Sequence, residues 1–221
     1  PDAQQGPGAH PGEVPNTRTP SVSGGSYPSA AGRGDKAVNY TEELLKLPFV
    51  KDARTVLPRN STVTPWSQRD PSKLLGVCYH QSLDAGASAM GTAKYDCGPN
   101  HMSPKGLPGL SYTGFIDRTG VLWLAWDVEC KTWSQGEASR PGDENEQFMA
   151  FCFGGNFSGE GYQGTQEPTV AQLTTAQDLW SACKRVWNWS DNQLYGHYHF
   201  GKPACPGFML SKLIEGYRTG R

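Results

Sequence analysis

GHYHFGKPACPG, residues 196–207, carries more chemical information than any other stretch of this chain. His197 precedes Cys205 by eight residues, and Pro206 and Gly207 follow the thiol directly. More than a hundred residues upstream, His80 closes the apolar run KLLGVCYH. Two imidazoles and a thiolate can bind a zinc ion and leave one position over, which hydrolytic zinc chemistry needs. His199 competes with His197 as a ligand, and Cys78 lies two residues before His80 on the same strand face. A fourth protein donor from either residue would close the site and make it structural.

Outward from this motif, the sequence reads as interleaved strands and helices. A final helix is expected from Pro206, with Leu210, Leu213, Ile214 and Tyr217 facing inward. At its N-terminus, exposed N–H groups would lower the pKa of the Cys205 thiol. Upstream, Thr169 and Gln172 form a capping box. Leu173, Ala176, Trp180, Cys183 and Trp187 then trace one buried helix face.

Residues 148–153, FMAFCF, form a continuous apolar run of strand length, expected to be buried on both faces. LSYTGFID and VLWLAWD flank Arg118-Thr119-Gly120 as a β-hairpin. Residues 74–80 alternate as a strand, a short helix is expected near residues 87–94, and TEELLKLPF is a helix stopped by Pro48. The fold class is therefore α/β, with a central mixed β-sheet flanked by helices.

Residues 1–36 differ in kind. Up to Gly34 the large apolar groups are Val14, Val22 and Tyr27 alone, too few to offset ordering entropy. That segment reads as a flexible Pro/Gly/Ser-rich arm, most simply a tether to another module, ahead of one domain spanning residues 37–221.

With 20 basic and 21 acidic residues the net charge is −1, which gives no electrostatic reason to expect nucleic acid as a partner. No apolar run approaches the ~18 residues of a membrane span. Once Cys205 is assigned to a metal, five cysteines remain, an odd number. A mostly reduced chain is expected, with a Cys97–Cys130 bridge as the alternative.

At this point the blocks resemble a known family. GHYHFGKPACPGFMLSKLIEGYR is similar to the last motif of the zinc-dependent N-acetylmuramoyl-L-alanine amidases, the group of phage lysozyme-type amidases and peptidoglycan recognition proteins. LLGVCYHQS resembles the first strand of that family, which ends in a zinc histidine. LSYTGFIDRTGVLWLAWD resembles its Ser-Tyr-His hairpin and Asp-x-x-Gly turn. FMAFCFGG and PTVAQLTTAQDLWSACK follow in the family's order, so the likeness runs from residue 74 to residue 218.

The resemblance implies Zn2+ held by His80, His197 and Cys205, with peptidoglycan as substrate. The reaction it implies is hydrolysis of the lactyl–L-alanine amide, as in endolysin-like lysis of the cell wall. It implies an oxyanion-stabilising hydroxyl at Tyr112. Where the family often has Lys or Thr, two residues before the last ligand, this chain has Pro203, and Lys202 lies one step further off. Cys152 stands where some members carry a Glu base, and Thr113 where a His often follows the tyrosine. The alternative is a peptidoglycan-binding or virion module that keeps the fold without turnover.

Other signals are set aside. Gly159, Gly161 and Gly164 spell G-x-G-x-x-G, but Glu160 and the delayed helix make it a poor phosphate cradle. Arg33-Gly34-Asp35 and His10 fall in the arm, and His101 in a Pro- and Gly-rich loop reads as a surface residue. Trp66, Trp123, Trp126 and Trp133 could line a sugar–peptide groove, although strand alternation assigns at least two of them to the core.

Overall fold

A computed structural model of the chain describes residues 38–136, 143–159 and 165–220. The expected arm, His10, the Arg33-Gly34-Asp35 tripeptide, Gly161 and Gly164 lie outside the described residues.

Helix α1 (Tyr40–Leu45) opens under an Asn39 cap and leads into β1 (Val50–Asp52). Then come β2 (Gly76–Gln81), α2 (Ala89–Cys97), β3 (Gly114–Ile116) and β4 (Leu122–Leu124). After α3 (Glu144–Gln147) and β5 (Phe148–Phe153) the long α4 (Val170–Trp187) crosses back to β6 (Leu194–Gly196), and α5 (Phe208–Thr219) closes the chain.

The six strands form one sheet in the order β1-β4-β3-β5-β2-β6. β3 and β4 pair antiparallel across the Asp117–Gly120 turn, while the other pairings are parallel. The expected α/β fold with a central mixed sheet is the one found. In the turn, the Asp117 carboxylate accepts the N–H groups of Thr119 and Val121 at 2.8 and 3.2 Å. Gly120 sits at φ +86°, where a Cβ would press on the carbonyl of Ala171.

Strand alternation sorts the side chains onto two faces. Val77, Tyr79, Met149, Phe151, Phe153, Ile116, Leu122 and Leu124 share a core with Leu179 and Trp180 of α4 and Leu210 and Ile214 of α5. Each such fully buried side chain contributes about 1.5–3 kcal/mol. The Thr169–Gln172 capping box that starts α4 is present in full, with Gln172 N–H donating to Thr169 Oγ1 at 3.1 Å and Thr169 N–H to Gln172 Oε1 at 3.1 Å. The opposite face carries Cys78, Phe115, Cys152 and Ala125, partly covered by Ala89 and Ala93 of α2.

Two expectations need correction. Helix α5 begins at Phe208 rather than Pro206, because Gly207 takes φ +97°. A side chain at Gly207 would overlap the carbonyl of Phe157, so the backbone there is pressed against another segment and cannot yet turn helically. All six cysteines are free, as expected of a mostly reduced chain, and the alternative Cys97–Cys130 bridge is not formed. Of the four tryptophans only Trp66 is buried, while Trp123 and Trp126 are half-buried and Trp133 is exposed. Among the described residues no helix is long and apolar enough to cross a membrane.

Candidate metal centre

Strands β2 and β6 run parallel in the register Val77↔Leu194, Cys78↔Tyr195, Tyr79↔Gly196. One step further along the same register, His80 meets His197, which starts a short 3₁₀ turn (His197–Phe200). The two imidazole centroids lie 4.3 Å apart. Ligands from adjacent parallel strands thus meet at the strands' C-terminal ends, where open α/β sheets bind their ligands.

Cys205 arrives from the loop that follows. Its N–H donates to the Lys202 carbonyl and its carbonyl accepts from Tyr198 N–H at 2.8 Å, folding the loop back on itself. The thiol stands 3.9 Å from His80 Nδ1 and accepts the Gln81 N–H at 3.4 Å. The three candidate donor atoms of His80, His197 and Cys205 all lie within 4.8 Å of one another, and no other described His, Cys, Asp or Glu joins them.

The buried side chain of Gln81 ties this loop to the strand. Its amide donates to the Ala204 carbonyl and its Oε1 accepts the Phe157 N–H. Sequence reasoning missed Gln81; the available signal was an amide beside His80 at the end of an apolar strand.

Protonation suits a metal. Burial, then the neighbouring His197, drives the His80 pKa well below the usual histidine range. Burial also lowers that of His197, against its hydrogen bond to the Gln135 carbonyl and with the Lys202 charge. His197 Nε2 lies 3.1 Å from the Gln135 carbonyl oxygen. A carbonyl only accepts, so Nε2 carries the proton and Nδ1 keeps its lone pair. Among the described residues His80 Nε2 is buried without a hydrogen-bond partner.

The expected lowering of the Cys205 pKa is not found. Burial pushes the thiol up to about 12, opposed by the single Gln81 N–H, and the α5 N-terminus begins three residues too late to help. A buried, protonated thiol beside two neutral imidazoles is a donor set that a cation would organise, since a coordinating thiol gives up its proton.

Tyr112 packs its ring 5.1 Å from that of His80 and sits against the apolar cluster that includes Cys152. Burial, with the thiols Cys152 and Cys205 and the Asp96 carboxylate nearby, raises its pKa well above the usual tyrosine value, so the hydroxyl stays protonated. Asp96 on α2, 2% exposed, accepts the Ser111 N–H at 2.8 Å and fixes the approach of the Tyr112 segment. Sequence reasoning missed it as well. Lys202 is exposed at the rim, near enough for its charge to act on His197.

The competing ligands turn elsewhere. His199 Nδ1 accepts the Gly196 N–H at 3.2 Å and its Nε2 lies 3.5 Å from Glu215. Cys78 packs with Phe148 and Phe200, and exposed His101 lies 3.3 Å from the Tyr95 hydroxyl. Thr113 Oγ1 accepts the Ala150 N–H, which removes it from the chemistry. Trp66 and Trp126 line a pocket of about 310 Å³ with Arg54, Arg59 and Asp127.

Comparison with known proteins follows the same direction. A family model described as N-acetylmuramoyl-L-alanine amidase matches residues 70–208. Among solved structures, an endolysin N-acetylmuramoyl-L-alanine amidase from Clostridium intestinale is 18% identical, with a TM-score of 0.54 over 73% of this chain and 89% of that one. A human peptidoglycan recognition protein, in complex with a glycosamyl muramyl pentapeptide, is 16% identical, with a TM-score of 0.56 over 77% and 97%. A bumblebee peptidoglycan recognition protein is 18% identical, with a TM-score of 0.51 over 74% and 90%. No curated protein sequence matches.

Proposed function

This chain belongs to the N-acetylmuramoyl-L-alanine amidase family, and from that premise we propose that it is a zinc-dependent hydrolase of the lactyl–L-alanine amide in peptidoglycan. The observation that carries the reading is the convergence of His80, His197 and Cys205 within 4.8 Å. In a tetrahedral site with bonds of about 2.3 Å to sulfur and about 2.1 Å to nitrogen, neighbouring donors are about 3.6 Å apart. The 3.9 Å between His80 Nδ1 and Cys205 Sγ is close to that spacing. Three protein donors leave a position free for water or substrate, which favours a catalytic over a structural site.

His80, His197 and Cys205 would hold the ion. When bound, zinc supplies Lewis-acid activation of water and polarisation of the scissile carbonyl. Tyr112, kept protonated by its burial, donates its hydroxyl to the carbonyl oxygen as that oxygen gains charge. Lys202 brings a positive charge to the same oxygen from the exposed rim. Cys152 packs beside Tyr112 in the same apolar cluster. Residues 1–36 would form a separate arm before the amidase domain of residues 37–221, joining it to another module.

Purified sacculi incubated with the protein test this reading. Release of peptides with a free L-alanine amine, abolished by a chelator and restored by zinc, is the expected result. Binding without release would instead identify a recognition module, a reading favoured by the thiol of Cys152 where a carboxylate base would serve and by Pro203, which can donate no hydrogen bond.

A further inference from the structure

Asn145, far from the ligands in sequence, is linked to His197 by an unbroken run of hydrogen bonds. Its Oδ1 accepts the backbone N–H groups of Ser134 and Gln135 at 3.0 and 3.1 Å, and its Nδ2 donates to the Gly136 carbonyl at 3.2 Å. Two backbone donors on one atom leave no ambiguity about which end of the amide is oxygen. These three bonds fix residues 134–136, and the Gln135 carbonyl so fixed receives the His197 Nε2–H at 3.1 Å.

Asn145 is itself anchored from both sides. The Asp143 carboxylate accepts its N–H at 3.0 Å. Arg69, 5% exposed, donates to its carbonyl at 2.6 Å and to those of Phe148 and Val128 at 2.7 and 2.9 Å. A buried guanidinium with no direct ion pair is costly, and among the described residues Arg69 Nη2 has no hydrogen-bond partner. What that cost secures is a set of carbonyls around one short segment.

We propose that Asn145 is a positioning residue of the metal centre. It aims the Gln135 carbonyl so that His197 keeps its proton on Nε2 and presents Nδ1 to the ion. The proposal rests on the zinc reading above. The partner of a ligating histidine sets its tautomer and ring orientation, and loss of such a partner weakens metal binding about 10- to 100-fold.

The test is zinc affinity, measured by competition with a chromophoric chelator on wild type, Asn145→Ala and Asn145→Asp. Aspartate keeps the acceptor for Ser134 and Gln135 and loses only the donor to Gly136, so its affinity should stay well above that of alanine. Alanine should bind zinc about 10- to 100-fold more weakly. Equal affinity in a folded Asn145→Ala protein overturns the proposal. So does an aspartate variant as weak as alanine. Two-bond ¹H–¹⁵N correlations on the metal-free wild type read the tautomer directly, and decide the matter if the alanine variant does not fold. An Nε2–H form supports the relay, and an Nδ1–H form refutes it. If wild type binds no zinc, the zinc reading fails, while the tautomer still judges the relay.

Discussion

His80 and Cys152 are register partners across the β2–β5 ladder, and Tyr112 packs against both, its ring 5.1 Å from that of His80. The strand that carries one proposed ligand therefore borders a residue packed beside the proposed oxyanion donor. Cys152→Ala should leave zinc content unchanged and lower turnover a few-fold, with about 1 kcal/mol lost in stability. Cys152→Ser, which keeps a side chain of similar size beside Tyr112, should recover most of the turnover. Metal analysis alongside peptide-release kinetics checks both.

Tyr112→Phe removes only a hydroxyl. Loss of one oxyanion donor costs about 10²–10³ in kcat, so turnover should fall by that factor with KM and bound zinc little changed. Lys202→Met should cost less, since its ammonium is exposed and screened by water. A zinc loss in the Tyr112 variant would show that the ring supports His80 and has no chemical part.

Cys205→Ser should abolish both stoichiometric zinc and peptide release while sacculus binding persists, because the serine hydroxyl is a far poorer donor than a thiolate. Metal content, a release assay and a pull-down on sacculi give the three readouts. Unchanged release would remove Cys205 from the site.

Asp96 should leave a signature in stability. Burial raises its folded pKa to about 6, above the usual carboxylate value. The folded chain therefore binds that proton more readily than the unfolded chain does. Its contribution is greatest below about pH 4, declines as pH rises to about 6, and is level above that, for a total of about 3 kcal/mol. His80 and His197, with lowered folded pKa values, act in the opposite sense and lose stability as pH falls through the histidine range. The difference between wild-type and Asp96→Asn unfolding curves from pH 4 to 7 isolates the carboxylate; a flat difference would contradict its burial.

Much of the fold was legible where one local pattern suffices. The apolar run 148–153 read as a strand buried on both faces, and Thr169 with Gln172 marked the start of α4. The three candidate ligands were named through a motif, and the fold brings them together. What escaped were partners fixed by long-range pairing: Gln81 across to Ala204, Asp96 to Ser111, Asn145 to Gln135. Such amides and carboxylates have no periodicity, and their roles exist only once the sheet has brought distant backbone groups together. The Cys205 thiol misled for a related reason. Its pKa follows from burial and from where α5 starts, and a positive-φ glycine moved that start.

The most direct test of the central claim is X-ray absorption at the zinc edge on the zinc-loaded protein. His80, His197 and Cys205 around one ion predict a first shell of two imidazole nitrogens, one sulfur and one light atom from solvent. A second sulfur, a third imidazole, or no sulfur at all would contradict it.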